Sequence, residues 1–158
     1  MLALGDLVPG LPLFDAEGKQ RSLAEFRGKR IVLYFYPKDD TPGCTTEACA
    51  FRDLKADFDG AGAVVVGVSA DKPASHAKFA AKFGLPFLLL SDPEHAFLEA
   101  CGVWGEKKMY GKTFMGITRS SFLVDPVGRI EVVWHKVKPE GHAEEVLAVL
   151  KEGKLPQP

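Results

Sequence analysis

Two uninterrupted runs of β-branched and aromatic residues, Ile31-Val32-Leu33-Tyr34-Phe35-Tyr36 and Ala63-Val64-Val65-Val66-Gly67-Val68-Ser69, constrain this chain more than any other feature. A strand with one wet face alternates apolar and polar residues, whereas an unbroken run belongs to a strand covered on both faces. Between the runs, Cys44 to Phe58 carries Ala48, Phe51, Leu54 and Phe58 at spacings of three, three and four, closed by Asp59-Gly60. That pattern predicts an amphipathic helix with a glycine stop. Strand, helix and strand then form a right-handed βαβ crossover with a parallel pair.

The remaining elements follow from turn chemistry. Leu11 to Phe14 and Gln20 to Leu23 flank Asp15-Ala16-Glu17-Gly18 and read as a short N-terminal β-hairpin. Asp71-Lys72-Pro73 opens a helix through Phe79, Ala80 and Phe83, and Gly84-Leu85-Pro86 stops it before the apolar run Phe87 to Leu90. Asp92 and Pro93 cap a further helix reaching about Cys101. Val103 to Gly116 shows no clean period and reads as an irregular surface excursion, its Lys107, Lys108 and Lys112 solvated. Ser121 to Val124 and Ile130 to Trp134, joined by Asp125-Pro126-Val127-Gly128, predict an antiparallel hairpin, and Gly141 to Lys151 a closing helix. The expected class is α/β, a thioredoxin-like fold with a central mixed β-sheet flanked by helices.

A chain of 158 residues fits one domain, here residues 1–158, and is long enough to bury a core without disulfides. Lys and Arg number 20 against 21 Asp and Glu, so the basic excess that phosphate-backbone binding requires is missing and no nucleic-acid partner is expected. Neither a membrane span nor a signal peptide is visible, which points to a cytoplasmic protein without a membrane partner. Three cysteines do not make a secreted framework, so cysteine chemistry here is expected to be catalytic or redox.

The chemistry gathers at Pro37-Lys38-Asp39-Asp40-Thr41-Pro42-Gly43-Cys44-Thr45-Thr46-Glu47-Ala48-Cys49. Thr41 suits an N-cap and Pro42 the first helical position, which makes Cys44 the third. Unpaired N–H groups and the helix dipole favour negative charge there, so a thiol at that place is drawn toward thiolate. Asp39, Asp40 and Glu47 oppose this, and a cationic partner from elsewhere in the chain is expected. On an ideal helix Cys49 lies about 8.6 Å and about 140° from Cys44, beyond the roughly 7 Å that a disulfide tolerates, so a bridge between them needs local unwinding.

Other candidates weigh less. Cys101, at a helix end, reads as core. Without C-x-x-C, and with His76, His95, His135 and His142 out of ligand spacing, no metal site and no cofactor are expected. Asp39 and Asp40 read as solvated or capping groups rather than an acid–base pair. Gly60-Ala61-Gly62 precedes a strand where a dinucleotide fingerprint must follow one, and Gly67-Val68-Ser69-Ala70-Asp71 lacks the second glycine of a nucleophile elbow.

Pro37-x-x-x-Thr41-x-x-Cys44 resembles the active-site signature of the peroxiredoxins, and Thr41-Pro42-Gly43-Cys44-Thr45-Thr46-Glu47-Ala48-Cys49 is similar to the PrxQ or bacterioferritin-comigratory-protein subfamily. The likeness extends through Val103 to Lys112, Gly116 to Asp125 and Val137 to His142, nearly the whole chain. It implies a thiol-dependent peroxidase acting on hydrogen peroxide and organic hydroperoxides. Cys44 would be the peroxidatic thiolate that becomes a sulfenic acid, and Cys49 the resolving thiol that condenses with it. Thr41 and Arg119 would bind the peroxide, Arg119 supplying the missing positive charge. Pro37 would shield the thiolate, and Glu47 would orient Arg119. Thioredoxin or a similar dithiol would reduce the disulfide, and the chain would be a monomer. Phe51 and Phe122 suggest an apolar wall beside the site.

Cys101 departs from the subfamily pattern and leaves open whether a second thiol substitutes in resolution. Two alternatives use the same cysteines: a thioredoxin-like disulfide oxidoreductase, disfavoured without C-x-x-C, and a non-enzymatic redox sensor or holdase.

Overall fold

A computed structural model of the chain describes residues 1–152. The first apolar run forms β3 (Arg30–Phe35) and the second β4 (Ala63–Ser69), paired in parallel from Arg30↔Ala63 to Phe35↔Val68. Alternation decides what each strand touches. Ile31, Leu33 and Phe35 enter one apolar cluster, whereas Val32, Tyr34 and Tyr36 enter a second on the opposite face. Both faces are buried, as unbroken runs demand.

β3 and β4 sit inside a seven-stranded mixed sheet of order β2-β1-β5-β4-β3-β8-β9. Its other members are β1 (Leu13–Phe14), β2 (Gln20–Arg21), β5 (Leu88–Ser91), β8 (Ser120–Val124) and β9 (Ile130–Trp134). β5 continues the parallel set beside β4, and β8 and β9 run antiparallel beyond β3. The N-terminal hairpin joins through Phe14↔Ser91, its turn held by Asp15 Oδ1, which accepts from Glu17 N and Lys19 N at 2.9 Å. Helices α1 (Pro42–Asp53), α2 (Lys55–Gly60), α3 (Pro73–Phe83) and α5 (His142–Glu152) cover the Tyr34 face, contributing Phe51, Phe58, Phe79 and Val146. The other face carries Phe97 and Leu98 of α4 (Ala96–Ala100), together with Leu2, Val8, Cys101 and Ile117.

Four expectations are corrected. The helix expected to run on to Phe58 starts at Pro42, as its first turn implies, but divides at Leu54, where ψ opens to 9° although Phe58 N still donates to Leu54 O at 3.0 Å. No Gly or Pro marks that bend. α4 begins at Ala96 rather than at Asp92, because His95 takes a left-handed φ of 68°. Asp92 still serves the helix, accepting from Leu98 N at 2.9 Å. Val103 to Gly116 is not irregular: β6 (Trp104–Met109) and β7 (Lys112–Ile117) form a two-stranded antiparallel hairpin. Tyr110 and Gly111 turn it with φ of 52° and 75°, the mirror-type turn that matches strand twist. The ribbon stands apart from the main sheet, with Met109, Tyr110, Phe114 and Met115 exposed, so it lacks the apolar alternation that marks a half-buried strand. Phe122 does not wall the Cys44 side. It pairs with Leu33 across β8 and β3, so it shares the face of Leu33 and meets Phe35 edge to face at 5.8 Å.

No helix among the described residues is long and apolar enough to cross a membrane.

Candidate active site

Cys44 lies where β3 hands the chain to α1, at the carboxyl end of a parallel strand, the region where open α/β sheets place their sites. Thr41 is the N-cap residue with extended backbone, Pro42 the first helical residue and Cys44 the third. The expected cap bond is not made. Thr41 Oγ1 donates instead to Lys38 O at 2.9 Å, which commits its proton and leaves its lone pairs as acceptors. Pro37, half-buried, begins the turn after β3.

The Cys44 thiol is almost wholly buried, in the cluster that holds Tyr34, Ala48 and Phe51. Phe51 stacks on Tyr34 at 4.7 Å, so the apolar wall expected of it is present. Arg119, in the two-residue link between β7 and β8, supplies the expected cation. Its Nη2 donates to Cys44 Sγ at 3.3 Å and its Nη1 to Glu47 Oε1 at 2.7 Å. Cys44 and Glu47 are three apart on α1, and so lie on one face. Arg119 is fixed in turn by its carbonyl, which accepts from Val137 N at 2.8 Å. Gly43 makes room for the guanidinium: a Cβ there would stand 3.2 Å from Arg119 Nη2 and 3.2 Å from Pro139 Cγ.

Glu47 has no exposed surface. Burial pushes its carboxyl up to about 7, although the charge and hydrogen bond of Arg119 pull it down. Burial works to lower Arg119, but the charges of Glu47 and Cys44 outweigh this and raise it above the usual guanidinium range. Among the described residues, Tyr34 Oη and Glu47 Oε2 are the buried side-chain oxygens without a hydrogen-bond partner. Burial raises Tyr34 well above the usual phenol range, so it stays an O–H.

Cys49 lies on the same unbroken helix, half-buried, and Cys44, Cys49 and Cys101 are all free thiols. Cys101 belongs to the cluster on the other face of the sheet. Burial, with help from the Asp92 charge, pushes its thiol up to about 12, the behaviour of a packing residue.

Two groups were hidden in the sequence. Lys107 is not solvated: half-buried on β6, it donates to Ile117 O at 2.8 Å, and burial lowers its ammonium while Cys44 pulls the other way. It adds positive charge around the thiol, and only the β6–β7 pairing places it there. Asp39 is not a solvated turn residue either. It is buried and bonded to Tyr36, Ser75 and His76, whereas Asp40 is exposed and pairs with Lys82 at 2.8 Å. The available signal was topological: the carboxyl ends of β3, β4 and β5 bring together the loops that carry Asp39 and Asp71 and the last strand residues Leu90 and Ser91.

Residues 4–133 match the model of the AhpC/TSA family. Peroxiredoxin Bcp of Bacillus subtilis is 50% identical over 151 residues, covering 96% of each chain. Peroxiredoxin Bcp of Escherichia coli K12 is 48% identical over 151 residues, covering 96% of this chain and 97% of that one. Among solved structures, the bacterioferritin comigratory protein of Xanthomonas campestris superposes with a TM-score of 0.88 at 47% identity, over 97% of this chain and 98% of that one. A mutant PrxQ of Xylella fastidiosa gives a TM-score of 0.91 at 41% identity, with 97% and 98% covered. The fold is thus the thioredoxin-like one expected. With a buried thiol on a helix start, an arginine donating to it, and likeness of this extent, the chain belongs to the AhpC/TSA family, among its Bcp/PrxQ peroxiredoxins.

Proposed function

We propose that the chain reduces hydrogen peroxide and organic hydroperoxides through Cys44, with Cys49 resolving the intermediate and thioredoxin or a similar dithiol restoring both. The observation that carries this reading is the 3.3 Å contact from Arg119 Nη2 to Cys44 Sγ at the third position of α1. Alkyl peroxide reduction by the Xanthomonas relative supports the substrate class.

The chemistry follows from the groups present. The Cys44 thiolate attacks the hydroxyl oxygen of the peroxide, the O–O bond breaks, and the departing alkoxide takes up a proton. Arg119 has donors for both the thiolate and the charge growing on oxygen, and Glu47 keeps the guanidinium turned toward them. The free lone pairs of Thr41 Oγ1 accept the peroxide O–H. The resulting sulfenic sulfur is attacked by the Cys49 thiolate, hydroxide leaves as water after protonation, and a disulfide forms. Because both cysteines ride one helix, the start of α1 unwinds for this step. A dithiol then returns both thiols by exchange and is itself oxidised. Pro37 shields the thiolate. The same reading takes the chain as a single-domain, cytoplasmic monomer that needs no metal or cofactor.

Mass spectrometry after one equivalent of peroxide tests it. A Cys44–Cys49 link is expected, with no turnover by Cys44→Ser in a thioredoxin-coupled assay. Full turnover by that variant would overturn the reading, and an unaffected Cys49→Ser would reassign the resolving thiol. Insulin reduction without peroxide consumption would favour a disulfide oxidoreductase, and oxidation-dependent partner binding without turnover a sensor.

A further inference from the structure

We propose that Asp39 and His76 form a latch: a buried imidazolium–carboxylate pair ties the loop before α1 to α3 and holds the start of the reactive helix closed until the disulfide-forming step. The proposal rests on the Cys44–Cys49 reading above.

His76 is wholly buried on α3. Its Nε2 is 3.0 Å from Leu90 O, an acceptor with no proton to give, so Nε2 carries one. Its Nδ1 is 2.7 Å from Asp39 Oδ2. Asp39 also receives the Tyr36 hydroxyl on Oδ1 at 2.6 Å and the Ser75 hydroxyl on Oδ2 at 2.8 Å. Donors converging on both oxygens suit a carboxylate rather than an acid. Burial works to raise the Asp39 carboxyl, but the hydrogen bond and charge of His76 outweigh it and hold the group below its usual range. With Asp39 as a carboxylate, both nitrogens of His76 face acceptors, a pattern that a doubly protonated ring satisfies. The amino end of α3 opposes a cation at this place. Against it stand Asp39 and Asp71, whose ligand-type oxygens lie within 4.8 Å of each other and of the ring. Tyr36, with its oxygen 3.3 Å from Nδ1, completes the polar surroundings of the ring, together with Ser75.

The pair matters to Cys44 because of what it anchors. Asp71 Oδ2 accepts from Asp39 N at 2.8 Å and from the Ser69 hydroxyl at 2.7 Å, so Asp39 is held through its backbone as well as its side chain. Thr41 is two residues further on, and Cys44 five. Unwinding the start of α1 pulls directly on this anchor, and removing one member of a buried pair leaves an uncompensated charge. Closure thus favours the geometry that meets peroxide and opposes the geometry that meets Cys49.

Nitrogen-15 NMR of the reduced full-length protein reads the ring directly. Protons on both nitrogens of His76 are expected, and one bare nitrogen would overturn the proposal. Stopped-flow mixing with hydrogen peroxide separates loss of the Cys44 thiol from disulfide formation. In His76→Gln, which retains a donor but no charge, the first phase is expected to slow and the second to quicken, each by about tenfold. Wild-type rates in both phases, or a slowing of both as a merely structural contact would give, overturn the latch. Asp39→Asn supplies the same test should His76→Gln fail to fold. Absence of the first phase in the unsubstituted protein would sink the peroxidase reading and the latch with it, an outcome distinct from any variant effect.

Discussion

One guanidinium serves both the thiol and its neighbouring carboxylate: Arg119 reaches Cys44 Sγ through Nη2 at 3.3 Å and Glu47 Oε1 through Nη1 at 2.7 Å. The fork is rigid and planar, so anchoring one arm aims the other.

Replacing Arg119 by Lys keeps a charge but cannot hold both contacts. Arg119→Lys is expected to lower kcat/KM for hydrogen peroxide by about 100- to 1,000-fold, the usual cost of one preorganised donor to a developing anion, and Arg119→Ala by at least as much. Steady-state turnover with a thioredoxin system measures it. A loss below about threefold would mean that the arginine does not act in the rate-determining step.

Glu47 makes the protein sensitive to pH in a definite direction. Its folded-state value of about 7 lies above the 4.5 of a free glutamate, so between those values the folded chain keeps a proton that the unfolded chain has released. Stability from this group is therefore full below about pH 4.5 and is lost as pH rises toward 7, by up to about 3 kcal/mol. Urea midpoints from about pH 5 to about pH 8 should fall in the parent and stay flatter in Glu47→Gln. Turnover should rise over the same window as the carboxylate forms and anchors Arg119, a limb that the Gln variant lacks.

Thr41→Val removes a hydroxyl that makes no cap bond to α1. The variant should therefore keep its helix content and escape the roughly 1 kcal/mol penalty of a lost N-cap. Turnover should still fall by about 10- to 100-fold, because a bound peroxide O–H loses its acceptor. Thr41→Ser should retain most activity. Circular dichroism alongside peroxidase assays separates the two effects.

Gly67 on β4 admits Tyr34: a Cβ there would lie 2.8 Å from Tyr34 Cζ and 2.9 Å from Leu89 Cδ2. Gly67→Ala should cost about 1–3 kcal/mol by overpacking. Because Tyr34 stacks on Phe51 of α1, the same change should slow Cys44 alkylation or peroxide reaction as the helix is displaced. Unaltered urea midpoints would show that the ring can move aside freely.

The sequence reveals the sheet centre because β3 and β4 are buried on both faces, and the Thr41–Cys44 helix start because a proline at the first helical position is a local signal. Arg119 is 75 residues from Cys44, and the residues between carry no signal of the contact. Composition alone asks only for some cation, and the family resemblance supplies which one. Lys107 and Asp39 escape notice for a related reason. Each looks like a surface charge in its own segment, and only the β6–β7 pairing and the gathered strand ends bury them. Phe122 was misplaced because a one-residue step along β8 exchanges the two faces of the sheet.

That same sheet stands as a partition between two thiols. Cys44 packs among the residues of one face and Cys101 among those of the other, with the central strands between them. The first sits at a helix start, where the proposed reading has it meet peroxide. The second, at the end of α4 with its thiol pushed up to about 12, is closed to reagents in the folded chain. Slow alkylation of Cys101 in a Cys44→Ser/Cys49→Ser background would therefore count openings of this second core, a readout of the protein's breathing independent of its redox cycle.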